Sequence, residues 1–123
     1  MLTATLGYSL TDMPVSRIAA GYEMLSGTPS GDTKYKSFDP TFHTGHKFYG
    51  FMDYFINIPT NTGNRGLTDL LVRATMKLSD KGTLNFWFHN FALAEESNGN
   101  KGLGQEIDLT YLCKYNSNVN LEL

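Results

Sequence analysis

Cysteine is nearly missing from this chain. Cys113 stands alone among 123 residues, so no internal disulfide can form and no thiolate cluster can hold zinc. An excess of one charge is missing too: 12 acidic residues stand against 10 basic ones, which removes the electrostatic footprint of a nucleic-acid binder. No apolar run approaches the ~18 residues of a transmembrane helix. Met1-Leu-Thr-Ala-Thr-Leu-Gly7 lacks the basic stretch and apolar core of a secretion signal. If the chain belongs to a membrane it crosses with strands, and its export signal is expected upstream. Gly27-Thr-Pro-Ser-Gly-Asp-Thr-Lys34 lacks the Gly-Lys-Ser/Thr of a phosphate loop, and Gly99-Asn-Lys-Gly-Leu-Gly104 lacks dinucleotide spacing. Both read as turns.

What is present is alternation with a period of two, repeated along the chain. Leu2, Ala4, Leu6, Tyr8 and Leu10 alternate with Thr3, Thr5, Gly7 and Ser9. Ile18, Ala20, Tyr22 and Met24 oppose Arg17, Ala19, Gly21 and Glu23. Leu70, Val72, Ala74, Met76 and Leu78 oppose Asp69, Leu71, Arg73, Thr75 and Lys77, and Ile107, Leu109, Tyr111, Cys113 and Tyr115 oppose Glu106, Asp108, Thr110, Leu112 and Lys114. The segment 83–95 is less clean: Leu84, Phe86, Phe88, Ala92 and Ala94 share a face with Asn90, against Asn85, Trp87, His89, Phe91 and Leu93. A sixth alternation opens at Val119.

The sequence therefore predicts an all-β, antiparallel up-and-down meander in one partial domain over 1–123. Its strands fall near 2–10, 15–26, 67–78, 83–95, 105–115 and 119–123. Tight turns at 11–14, 79–82 and 116–119 alternate with a long connection at about 27–65 and a shorter loop at 97–102. Short turns at one end and loops at the other is the asymmetry of outer-membrane barrels. Five to six strands are too few to close a water-filled pore, so the expectation is an open fragment of a transmembrane β-barrel, with unpaired edges that the remaining barrel strands would cover.

Periodicity alone does not say which face meets what. A soluble barrel points its apolar face inward, whereas a membrane barrel points it at lipid. Strands of roughly 10–13 residues suit the ~9–11 that cross a bilayer at a tilt. Tyr8, Tyr22, Tyr111 and Tyr115 on the apolar face suit an aromatic girdle. The polar face then lines a lumen, with Arg17, Glu23, Asp69, Arg73, Lys77, Trp87, His89, Glu106, Asp108 and Lys114 as pore-lining candidates. Pairing Leu78 with Leu84 would set Arg73 across from His89 and Thr75 across from Trp87, with His89 hydrogen-bonded to a neighbour such as Asp108. The competing reading is a soluble small-molecule-binding barrel of the lipocalin or fatty-acid-binding kind.

The long connection ends in an aromatic run that must be buried or bind something. His43, His46, Phe48, Tyr49, Asp53 and Tyr54 are its candidates for a constriction folded into the barrel mouth. His43 and His46, with Asp39 or Asp53, have the spacing of metal ligands but no partner that orients them. No metal and no cofactor is expected. His89 is the sole strand histidine, and Ser9 and Ser16 fall on strands distant from it in sequence, so no catalysis is expected either.

His46-Lys-Phe-Tyr-Gly50, Met52-Asp-Tyr-Phe55, Gly66-Leu-Thr-Asp69 and His89-Asn-Phe91 occur in the order seen near the C-terminus of the alginate-export family of outer-membrane barrels. From about residue 15 to 120 the chain resembles that family. The resemblance implies the bacterial outer membrane and its lipid as the setting. It also implies porin-like passage or export of hydrophilic solutes, with an anionic polysaccharide as a candidate cargo. A conduit for a polyanion should carry surplus Lys and Arg on its lumen face, and this one does not.

Overall fold

The computed structural model describes residues 1–40 and 45–123. Six strands form one antiparallel up-and-down sheet: β1 (Leu2–Ser9), β2 (Val15–Leu25), β3 (Leu67–Lys77), β4 (Gly82–Ser97), β5 (Asn100–Lys114) and β6 (Asn120–Glu122). Each pairs with its sequence neighbours, and the sheet stays open, with β1 and β6 at its edges.

The β4–β5 connection departs from the expected loop over 97–102. It is a two-residue turn in which Asn98 (φ 50°) and Gly99 (φ 79°) both take positive φ. This is the type I′ geometry whose twist matches a hairpin, and Asn-Gly is its strongest sequence signal. The turn lets β4 reach 16 residues and β5 15, longer than the alternation suggested. So the end opposite the short turns carries one long loop and one tight turn.

The β3–β4 register also differs from the expected one. Met76, not Leu78, faces Leu84, so Arg73 faces Trp87, Leu71 faces His89 and Thr75 faces Asn85. The shift is two residues, which preserves every side chain's face while changing its partner. Its cause is the turn: Leu78 N and Ser79 N both bond to Gly82 O, which places Leu78 in the turn rather than the ladder.

The connection between β2 and β3 folds onto the polar face of the sheet. It holds a four-residue helix, α1 (Ile58–Asn61), which alternation could not reveal because one turn has no period to read. Asn57 caps it, its side chain accepting from Thr60 N at 3.2 Å. Ile58 drops into a small core with Leu25, Tyr49, Phe55, Leu67 and Phe91, against which Phe38 packs. That core sits at the loop end of the sheet, between the loop and the strands.

Candidate functional site: the polar face and the loop laid on it

The strand registers sort the polar face into cross-strand rows. Nearest the loop, Glu23, Asp69 and Phe91 share a row; next come Gly21, Leu71, His89 and Glu106. Below these lie Ala19, Arg73, Trp87 and Asp108, then Arg17, Thr75, Asn85 and Thr110. Successive rows are two residues, about 6.6 Å, apart along a strand.

His89 is fully buried at the centre. Its Nδ1 lies 2.7 Å from Asp69 Oδ2, whereas Nε2 is 3.9 Å from Asp108 Oδ2, beyond hydrogen-bond reach. The expected partner, Asp108, is thus replaced by Asp69, which the two-residue register shift brings diagonally opposite. Phe91 stacks on the imidazole at 5.1 Å and Trp87 flanks it at 6.1 Å. Arg73 lays its guanidinium over its cross-strand partner, with Cζ 4.1 Å from the Trp87 ring centroid. Trp87 also meets the edge of Phe51 from the loop at 6.3 Å, so its ring packs against protein on the loop side.

The loop grips this face by specific bonds. Tyr49 donates its hydroxyl to Glu23, which also accepts from Thr3 Oγ1 at 2.7 Å. Met52 N donates to Glu106 Oε1 at 2.8 Å. Gly50 sits at φ 83°, and a Cβ there would overlap the Glu106 carboxylate. The loop reaches Glu106 only because Gly50 has no side chain. Phe55 meets Phe91 at 4.7 Å, and Lys47 spans from the Phe51 ring to Glu122 on β6 at 3.2 Å.

Of the loop candidates, Tyr49 is buried on the sheet, Phe48 and Tyr54 are exposed, and His46 pairs with Asp53 at 2.7 Å. His43 lies outside the described residues. Among the described residues no group of three His, Cys, Asp or Glu has the geometry to hold a metal. Of the pore-lining candidates, Glu23, Asp69, Arg73, Trp87, His89, Glu106 and Asp108 come together under or beside the loop. Arg17, Lys77 and Lys114 stay exposed toward the turn end. Sequence reasoning passed over a polar ladder on the same face. Asn85 accepts from Thr75 Oγ1 at 3.1 Å and donates to Thr110 Oγ1 at 3.3 Å. Its position in the alternation was the available signal.

Hollows remain on this face, one of about 370 Å³ between Met52, Tyr54 and Phe55 of the loop and Phe91 and Glu106 of the sheet. A larger one of about 440 Å³ lies between Phe48, Tyr49 and the β1–β3 strands and reaches Glu23, Asp69 and Arg73. Another of about 300 Å³ is lined by Arg17, Arg73, Thr75, Asn85 and Trp87. Thr5 and Arg73 border these last two, and Ala19 and Gly21 keep the floor low.

Two measurable consequences follow from the loop's attachments. Gly50→Ala should lift the 45–55 segment off Glu106 and expose Trp87, the sole tryptophan, to solvent. Acrylamide quenching of its fluorescence should rise, while circular dichroism of the strands stays unchanged. The second concerns alkali. Burial, reinforced by the Glu23 carboxylate, pushes the Tyr49 phenol above its ordinary range. A released loop would return it to about 10. Below that pH both states keep the proton and the attachment is at full strength. As pH rises above it, only the released state ionises, so alkali favours release. Trp87 quenching should therefore climb above pH ~10 in the parent protein, and Tyr49→Phe should lack that step.

No protein-family model, curated protein or solved structure matches the chain, so the resemblance to alginate-export barrels rests on the residues quoted above.

Proposed function

We propose that this sheet is part of the wall of an outer-membrane β-barrel that passes hydrophilic solutes. Its polar face would line the lumen, its apolar face would meet lipid, and the loop would narrow the mouth. The observation that carries the reading is an inversion of burial. Leu6 (82 %), Ile107 (63 %) and Leu109 (61 %) are exposed on one face, while His89 (0 %) and Asp69 (4 %) are buried on the other. Tyr8 on β1, Ile18 and Tyr22 on β2 and Leu70 on β3 extend that exposed face. A patch of this extent is an aggregation hazard in water and an ordinary surface in hydrocarbon. The open edges support further strands beside β1 and β6, because an unpaired ladder inside lipid costs several kcal/mol per orphan group.

A soluble small-molecule-binding barrel would cover the face that carries Leu6, Ile107 and Leu109, which here stands exposed. The resemblance to alginate-export proteins supports export or passage of saccharides. The polar face limits that step: over its whole length the four carboxylates Glu23, Asp69, Glu106 and Asp108 match the four cations Arg17, Arg73, Lys77 and Lys114, which does not make a basic conduit. The proposal therefore stops at hydrophilic solutes and assigns no catalysis. Phase partition tests it. The protein carrying this chain should enter the detergent phase and remain with membranes after carbonate washing. A monodisperse, cooperatively folding protein in detergent-free buffer would overturn the proposal.

A further inference from the structure

The charges of the polar face are sorted along the strands. Carboxylates occupy the rows nearest the long loop: Glu23 and Asp69, then Glu106, then Asp108. Cations begin in the row of Asp108 with Arg73 and continue toward the tight turns as Arg17, Lys77 and Lys114. Glu122 on the short edge strand and Lys101 at the loop end of β5 are exceptions: Lys47 neutralises Glu122 at 3.2 Å, and Lys101 Nζ donates to Ala94 O at 3.3 Å. Several of these groups reach open space. Glu23 and Asp69 border the hollow of about 440 Å³, Arg17 that of about 300 Å³ and Arg73 both, and Lys77 and Lys114 are exposed.

We propose that this ordering polarises the lumen along its axis, acidic at the loop end and basic at the turn end, so that the channel conducts ions asymmetrically. The inference rests on the channel reading above. Asp69 and Lys77 are eight residues apart on β3, about 26 Å at ~3.3 Å per residue. The Debye length is ~10 Å at 0.1 M salt, so the two zones act on mobile ions separately. In a narrow, low-dielectric passage each zone enriches its counter-ion.

A voltage positive on the loop side drives cations into the acidic zone and anions into the basic one. Both accumulate where the zones meet, at Arg73 and Asp108, and conductance rises. The opposite voltage draws both species away from that junction and depletes it. No such asymmetry arises from a lumen in which signs are mixed at every level.

The test is current–voltage recording on single channels of the protein carrying this chain, in planar bilayers with the same potassium chloride on both sides. The loop side is identified by one-sided, membrane-impermeant thiol labelling of Ser30→Cys, an exposed loop position. At 0.1 M salt, current with the loop side positive should exceed the reverse current roughly twofold. The ratio should approach one at 1 M, where the Debye length falls to ~3 Å. Arg17→Gln with Lys77→Gln should lower the low-salt ratio toward one. If that variant misfolds, the salt dependence of the parent protein still decides the matter. Equal currents at low salt, larger current with the loop side negative, or a ratio indifferent to salt would overturn the inference and leave the channel standing. Absence of any conductance would remove the channel reading and this inference with it.

Discussion

Leu109→Arg should fail to assemble, whereas Thr110→Arg, one residue along β5, should assemble. The two positions carry the same new charge and differ only in face. Leu109 belongs to the exposed apolar face near the middle of a long strand. In lipid an arginine there costs ~2–4 kcal/mol at the midplane, because its charge must snorkel or draw water into hydrocarbon. Thr110 points to the polar face beside Asn85, where an arginine stays hydrated. That variant forfeits the Asn85 bond, a net loss of ~1 kcal/mol. Heat-resistant, membrane-inserted protein measured by urea extraction and by protease protection should fall sharply for the first variant and little for the second. Equal tolerance of both would mean that lipid does not cover the apolar face.

The second large effect belongs to the buried pair. Asp69→Leu leaves His89 fully buried, with its Nδ1 stripped of a partner 2.7 Å away. An unsatisfied polar group of this kind costs ~1–3 kcal/mol. Removing both polar groups is a different experiment. Asp69→Leu with His89→Phe would extend the aromatic stack with Trp87 and Phe91 and leave no orphan at that pair. The double variant should recover most of what the single one loses, a coupling of ~1–3 kcal/mol in a double-mutant cycle. Urea unfolding in vesicles, followed by Trp87 fluorescence, measures it. Additive losses would show that the two side chains are not coupled and that His89 is held by its rings alone.

Much of the sheet could be read from the sequence because period two is the one pattern a strand cannot hide. All six segments announced themselves, four of them cleanly, and so did the division of side chains between faces. The register could not be read, since it depends on whether Leu78 belongs to the turn or to the ladder, and Ser79 and Gly82 settle that by bonding to each other's backbone. A two-residue ambiguity leaves the faces intact, and so His89 was placed on the correct face with the wrong carboxylate. The Asn98–Gly99 turn was legible in its Asn-Gly pair, which lies inside the loop expected over 97–102.

The loop's course was not legible. Its aromatic density signalled burial, but nothing in the spacing said that Glu106 would receive Met52 N or that Gly50 would lie against that carboxylate. Such contacts join residues far apart in the chain and follow from how the loop drapes over the sheet. Helix α1 escaped for a related reason: four residues carry no periodicity, and its stability comes from Ile58 in the small core rather than from local preference.

The most direct test of which face meets lipid is a spin-label scan along β5 from Glu106 to Lys114, in the reconstituted protein with Cys113 first replaced by Ser. Collision with dissolved oxygen, which partitions into hydrocarbon, is compared at each position with collision with a water-soluble nickel chelate. Oxygen should dominate at 107, 109, 111 and 113, and should drop at 106, 108 and 110, where the label faces the loop or water. An oscillation of period two with the opposite phase, or high chelate access at Ile107 and Leu109, would contradict the account.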